Sequence, residues 1–514
     1  MTRLNRRDFL KASAALAASA ALAGASRFLS PAFSQSSRPN ILILVFDALS
    51  ARHLSLYGYE RETAPNLTKF AERASIYHRH YSDGNFTTSG TASMLTGLHP
   101  WTHRAFNYRG MIDRTLTDRN FFKLIGNEYT RLAFTQNLWA DILLSQFEAD
   151  LDLHLPCDTF SQFARSFLQP HDLPSDRSMA YYVFQDFLNL RVDDRYPYPG
   201  SLLVASADLS RALATDRHQI SAEYPRGLPT NYDFSYENAS VFDGVNDFIQ
   251  YELTQLQPYL AYFHLWSPHE PYNARREFIG MFPEELQLQD KPRHPLAGND
   301  YSVGKLRIHR RDYDEFIADL DAEFGRLMMQ LERSGVLENS YVIVTSDHGE
   351  MFERGEVGHA SALMYAPVTH IPLLISAPGQ RTRTDFHSLT SNLDLLPTLL
   401  QIAGKEIPAW TEGRLLPGFG GTQDASRSLF PMGAKDNPAF QSLERATFTL
   451  IKGDHELFYF TGYPDHQDSF ELYHLQEDPN ELRDLFSKDI TTASRMKDEL
   501  LEAVHSANSN FQTK

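Results

Sequence analysis

The run Asn40-Ile41-Leu42-Ile43-Leu44-Val45-Phe46 is apolar after its first residue and stops abruptly on a carboxylate, Asp47. A strand with one wet face alternates apolar and polar residues. A run without alternation belongs inside a parallel sheet whose two faces are both covered by helices. The chain therefore has to supply helices, and the pattern provides them. Leu67, Phe70, Ala71 and Ala74 recur at i, i+3, i+4 and i+7 and predict a helix over residues 64–76. Further strand and helix signals follow at Tyr259–Leu265, a helix at about 313–334, Tyr341–Thr345, Ile371–Ser376, and a helix through Leu393–Ala403 that ends at Gly404. This alternation predicts an α/β fold with a large, mostly parallel sheet flanked by helices. In such sheets ligands bind at the carboxyl ends of the strands.

With 514 residues the chain can build one large α/β domain and a smaller appendage. From about residue 440 the pattern changes to short strands, Phe448–Lys452, Leu457–Phe460 and Glu471–Leu475, then a final helix. We read residues 38–435 as the main domain and 436–514 as a C-terminal subdomain of short antiparallel strands and a helix. Residues 150–250, rich in Pro, Asp and Tyr with a helix-like patch near Tyr181–Leu190, read as an irregular elaboration packed near the site.

The N-terminus carries Arg6-Arg7-Asp8-Phe9-Leu10-Lys11, an Ala/Leu-rich run from Ala12 to Ala25, and small residues around Ala32-Phe33-Ser34. That is the pattern of a twin-arginine signal peptide over residues 1–34, with cleavage predicted after Ser34. The apolar run falls short of the ~20 residues that span a bilayer. Later segments offer no uninterrupted apolar span, so the mature form is expected to have no stable membrane span. The expected partner is the twin-arginine export machinery, and the expected location is periplasmic or secreted. The single cysteine, Cys157, excludes an intramolecular disulfide. A formal charge of −17 argues against a broad nucleic-acid surface, which needs a basic excess.

Asp47 closes the first strand, and Ser346-Asp347-His348-Gly349-Glu350 closes Tyr341–Thr345 in the same way. One Asp at a strand end is commonly a helix cap. Two such ends, one of them with an adjacent Asp-His pair, supply the O and N donors that converge on a divalent ion. Between them lies Asn85-Phe86-Thr87-Thr88-Ser89-Gly90-Thr91, a Ser/Thr/Gly loop that by itself caps a short helix. A hydroxyl there also sits where a helix N-terminus favours an incoming anion.

Taken together, these pieces resemble the sulfatase-like branch of the alkaline-phosphatase superfamily. The resemblance is carried, in order, by the opening strand, Thr63-Ala64-Pro65-Asn66-Leu67, Leu95-Thr96-Gly97-Leu98-His99-Pro100, Ser267-Pro268-His269-Glu270-Pro271-Tyr272, the Tyr313–Gly325 helix, Thr345–Glu350, Asp394–Leu400, and Glu471–Leu475 before Asp478-Pro479. It implies an alkaline-phosphatase/sulfatase-like fold, a sulfatase-like catalytic domain over 38–435, and an ester hydrolase or transferase that uses a divalent metal, Zn, Mn, Ca or Mg. Asp47, Thr87, Asp347 and His348 would hold that metal. The implied substrate is a small-molecule or lipid/glycan ester.

The departures matter as much as the matches. Sulfatases carry Cys or Ser in a Cys-x-Pro-x-Arg context and oxidise it to formylglycine. Here the stretch is Thr87-Thr88-Ser89-Gly90-Thr91, and threonine cannot become formylglycine. The family's paired Asp is Asp47-Ala48, and its Gly-Lys-Trp-His stretch corresponds approximately to Thr135-Gln136-Asn137-Leu138, which makes Asn137 a candidate substrate contact. A threonine nucleophile resembles that of the phosphoglycerol and phosphoethanolamine transferases. The resemblance thus implies phosphate or phosphonate esters attacked by Thr87, with His269 and His359 as catalytic acid or substrate-binding groups. Sulfate-ester hydrolysis without formylglycine and a non-catalytic binding protein on the same fold are the alternatives. His370 reads as structural, and Asp319 and Asp321 read as a solvated helix face.

Overall fold

The computed structural model describes residues 38–160, 222–231, 234–282 and 290–512. The patch Tyr181–Leu190 lies outside them. β1 (Asn40–Phe46) is buried at every position. It lies between two parallel neighbours, with Ile41 opposite Leu260 on one side and Tyr341 on the other. The remaining strands of this sheet are β2 (Ser75–Tyr77), β3 (Thr130–Thr135), β4 (Leu153–Leu155), β5 (Tyr259–Leu265), β6 (Ser340–Thr345), β9 (Leu373–Ser376) and β10 (Thr384–Phe386). Between β6 and β9 a hairpin of β7 (Met351–Glu353) and β8 (Glu356–Gly358) stands apart from it. The eight-stranded order is β10-β2-β9-β6-β1-β5-β3-β4.

The sheet is mostly parallel, as the sequence implies, with β9 as the exception. It runs antiparallel to both β6 and β2. No long crossover helix separates β6 from β9, so the chain turns back beside the strand it has just left.

Among the described residues the helices are α1 (Pro65–Ala71), α2 (Thr87–Thr96), α3 (Leu138–Gln146), α4 (Asn238–Asp247), α5 (Val303–Arg333), α6 (Leu395–Ile402) and α7 (Ile490–Gln512), besides shorter turns. Side chains of β1 alternate between two cores. Leu42, Leu44 and Phe46 pack with α1, α4 and α5, whereas Ile41, Ile43 and Val45 pack with α2 and α6. Each such buried aliphatic side chain contributes about 1.5–3 kcal/mol relative to exposure. That double packing is why the run needs no polar residue.

Two sequence expectations are corrected. α5 begins at Val303, ten residues before the expected start, because Ser302 caps it and Leu306 and His309 continue the buried stripe. Asp319 and Asp321 are not solvated. Asp319 accepts a hydrogen bond from Arg275 Nε at 2.8 Å, and Asp321 accepts the backbone N–H groups of Asn66 and Leu67, each at 2.8 Å. α5 therefore caps α1, whose own N-cap, Ala64, has no side-chain acceptor. Within the described part of the span 150–250, β4 joins the sheet edge, and α4 buries Val241, Phe242 and Val245 in the core shared with α5.

In the C-terminal part, β11 (Ala446–Lys452), β12 (His455–Thr461) and β13 (Ser469–His474) form an antiparallel meander. The same sheet takes in Ser428–Leu429 and Met432–Gly433, and α7 packs Ala493, Met496 and Leu500 against it. Residues from Pro39 onward make one compact unit.

Candidate active site

Strand register brings distant residues to one end of the sheet. Val45 of β1 lies opposite His264 of β5 and Thr345 of β6. The residues just beyond, Asp47 on one strand and Asp347 with His348 on another, therefore emerge side by side. All three are fully buried, and one donor atom from each lies within 4.8 Å of the others. His348 Nδ1 is engaged by the Gly349 carbonyl at 2.9 Å, so its Nε2 faces Asp47 Oδ1 at 3.4 Å and Asp347 Oδ2 at 3.5 Å. This hydrogen bond fixes the tautomer that leaves a lone pair on Nε2.

Thr87 is the first residue of α2, whose N-cap, Phe86, offers no side-chain oxygen to the first-turn N–H groups. Its Oγ1 lies 3.4 Å from His348 Nε2 and accepts from Asn137 Nδ2 at 3.0 Å. Asn137 is the N-cap of α3. Its Oδ1 takes the Trp139 N–H at 2.8 Å, which leaves Nδ2 to donate to both Thr87 and Asp47 Oδ2, the latter at 2.6 Å. The helix bearing Thr87 is held close to the Asp347 loop by a glycine. A Cβ on Gly90 would lie 2.2 Å from the Asp347 carbonyl oxygen.

Electrostatics at this point call for a cation. Asp47 Oδ1 and Asp347 Oδ2 have no hydrogen-bond partner. Burial and the Asp47 charge push Asp347 up. Burial works the same way on Asp47, yet the His269, His264 and His348 side chains hold it well below the ordinary carboxylate range. Burial disfavours a charged His348, but Asp347 and Asp47 push it up to about 9. Two buried carboxylates with open lone pairs, beside an imidazole whose Nε2 would exchange its proton for a cation, are the donor set a divalent ion takes. The residues present fit such an ion.

Around this cluster stand three groups that sequence reasoning did not assign. His264 Nε2 is 3.4 Å from Asp47 Oδ2 and 3.6 Å from Asp347 Oδ2. Its only sequence signal is an imidazole in an otherwise apolar strand. Glu350, buried and pushed up to about 7 by that burial, lies 3.0 Å from His359 Nδ1. Lys435 donates to the Ala360 carbonyl and to Tyr108 Oη, the latter at 3.0 Å, bringing a cation next to His359.

The expected histidines converge. The His359 ring is 4.1 Å from that of His348 and 5.0 Å from that of His269. His269 Nδ1 meets the Glu270 carbonyl at 3.0 Å. Burial pushes both His269 and His359 down, so both rings favour the neutral form. Phe86, Tyr108 and Trp139 form an aromatic wall beside Thr87. His370 lies outside this group, its Nε2 spent on the His78 carbonyl at 2.9 Å.

The chain matches the family model described as Sulfatase over residues 39–141 and 192–405. It also matches N-sulphoglucosamine sulphohydrolase, C-terminal, over residues 355–507, and the twin-arginine translocation pathway signal sequence over residues 3–23. Choline-sulfatase of Rhizobium meliloti (strain 1021) is 24% identical over 471 residues, covering 87% of this chain and 82% of that protein. Among solved structures, phosphonate monoester hydrolase from Silicibacter pomeroyi superimposes with a TM-score of 0.64 at 19% identity, covering 91% of this chain and 96% of its own. The phosphonate monoester hydrolase of Agrobacterium radiobacter gives a TM-score of 0.63 at 18% identity, covering 92% and 96%.

Proposed function

Because the chain belongs to the sulfatase family and is an exported ester hydrolase, we propose that it cleaves phosphate or phosphonate esters with Thr87 as nucleophile and a divalent cation at Asp47, Asp347 and His348. The observation that carries this reading is the Thr87 hydroxyl itself. It sits at a helix N-terminus, 3.4 Å from the His348 nitrogen that faces both carboxylates, where an oxidisable Cys or Ser would otherwise stand.

A divalent cation at these ligands supplies positive charge beside the hydroxyl and the anionic ester. Asn137 orients the hydroxyl by donating to it. Thr87 Oγ1 attacks phosphorus in line with the leaving oxygen, forming an Oγ1–P bond as the ester P–O bond breaks. The first-turn N–H groups of α2 favour the phosphoryl oxygens. A neutral His269 or His359 takes the Thr87 proton as the Oγ1–P bond forms and gives it to the departing alkoxide; the same ring then takes a proton from the water or alcohol that resolves the phospho-threonine and returns it to Thr87 as the Oγ1–P bond breaks. The Glu350 carboxyl next to His359 Nδ1 holds that ring in place for the exchange.

The sulfate-ester reading is favoured by the choline-sulfatase relative. It ranks second because a sulfated threonine lacks formylglycine's elimination route. A hydrolysis screen of the purified enzyme with aryl phosphate monoesters, diesters, phosphonate monoesters and sulfates, across Zn, Mn, Ca and Mg, separates the two. Phosphorus esters should exceed sulfates by about tenfold or more in kcat/KM, with all activity lost to a chelator and restored by one metal. A sulfate ester turned over fastest would reverse the order.

A further inference from the structure

A cavity of about 470 Å³ lies among the segment after β1, the N-terminal half of α5 and the β7–β8 hairpin. That volume suits a small organic ligand. None of Asp47, Thr87, Asn137, His264, His269, Asp347, His348 or His359 lines it. Seven of its lining side chains are Arg or Lys and four are Asp or Glu, in a chain whose formal charge is −17. The positive charge is thus local, against the trend of the whole molecule.

Part of it is neutralised within the fold. Lys291 pairs with Glu353 at 2.6 Å, and Arg61 with Asp314 at 2.7 Å. Two guanidinium groups are not. Arg52 donates to the Pro479 carbonyl at 2.6 Å and to the Asn480 side-chain oxygen at 3.4 Å, and Arg310 donates to the Phe352 carbonyl at 2.7 Å. Among the described residues neither has a carboxylate within ion-pair distance. Arg354, by contrast, is 6% exposed and pairs through its Nε with Glu353 at 3.8 Å. Guanidinium donors left over after all neutral acceptors are used recognise tetrahedral oxyanions strongly and by geometry. Tyr59, Phe282 and Phe352 add ring surface to the same walls, suited to an organic body attached to the anion.

We propose that this cavity is a second, non-catalytic binding site for a small phosphate- or sulfate-bearing molecule, held by Arg52 and Arg310. The proposal does not rest on the reading of Thr87.

The test is calorimetric titration of the metal-loaded enzyme with phenylphosphonate, whose C–P bond ester hydrolysis leaves intact. Parallel titrations use inorganic phosphate and inorganic sulfate. Phenylphosphonate should fill two sites. Arg52→Gln with Arg310→Gln should weaken one of them by about tenfold or more while ester turnover continues. Arg310→Lys, which keeps the charge, should retain that site and shows that loss in the Gln variant is not misfolding. Asp347→Ala should lose the other site and keep the cavity. Inorganic ions that bind with the same dependence on Arg310 support the proposal and assign it to free phosphate or sulfate. Binding of phenylphosphonate alone supports it and assigns an organic ester. A single site that disappears in Asp347→Ala, or two sites unchanged in the Arg52→Gln and Arg310→Gln variant, would overturn it.

Discussion

At the scale of single residues, the candidate active site is a set of buried charges without enough counter-charge. Asp47 and Asp347 are both fully buried and each keeps an oxygen without a partner. Removing one donor of such a set should abolish tight chelation. We expect Asp347→Ala or His348→Ala to purify without stoichiometric divalent metal under conditions where the parent retains it, as measured by elemental analysis. Full metal content in both variants would put the site elsewhere. Asp47, Asp347 and His348 were legible in the sequence because each ends an apolar run, where a polar residue has no core role. His264 was not legible. It lies one residue inside the end of an apolar strand, where an imidazole looks like any core histidine until register sets it against Asp47. The pairing of Glu350 with His359 was equally hidden, since it needs the β7–β8 hairpin to fold the two together.

At the scale of elements, carboxylates on α5 act as caps and anchors for segments far away in sequence. Asp321→Ala would leave the Asn66 and Leu67 N–H groups without acceptors, costing about 1–3 kcal/mol. The thermal midpoint should fall accordingly, with Asp321→Asn recovering part of the loss. An unchanged midpoint would show that α1 does not depend on this cap. Periodicity alone could not distinguish these acids from a wet face, because their partners lie on other segments, 44 positions away for Asp319 and about 250 for Asp321.

A second element-level test concerns Glu456 on β12, fully buried beside Glu481 with both its oxygens lacking partners. Burial and the Glu481 carboxyl push Glu456 well up, and burial pushes Glu481 up in turn, with Arg52, Lys291 and Arg354 opposing. A carboxyl raised in the fold favours the native state when protonated. Its penalty grows as pH rises above the unfolded value of about 4.3 and is complete only above the folded value. Glu456→Gln should therefore flatten the decline in thermal stability as pH is raised from weakly acidic to alkaline. Parallel slopes for parent and variant would contradict this.

For the whole molecule, the sequence conveyed the layered architecture because β1 after Asn40 and the middle of β6 are unbroken apolar runs and helical periods separate the strands. It did not convey the reversal of β9, which depends on how a loop without a long crossover helix returns to the sheet. Nor did it show that the C-terminal sheet recruits short strands from before residue 436. Export rests on the twin-arginine signal sequence matched over residues 3–23. Fusing residues 1–37 to a reporter that folds before crossing the membrane should deliver it by the twin-arginine route, and changing Arg6 and Arg7 to Lys should block delivery. Delivery that survives the change would refute that route. On the proposed mechanism, catalysis depends on the oxygen at Thr87. Thr87→Ala should lose turnover by roughly 10³-fold or more while keeping its fold and metal, and Thr87→Ser should keep part of it. The most direct measurement is a mass spectrum of the enzyme quenched during turnover of a slow phosphonate or phosphate ester. The account predicts a phosphoryl or phosphonyl adduct on the peptide containing Thr87, absent from Thr87→Ala. An unmodified Thr87 peptide, together with undiminished turnover in Thr87→Ala, would contradict it.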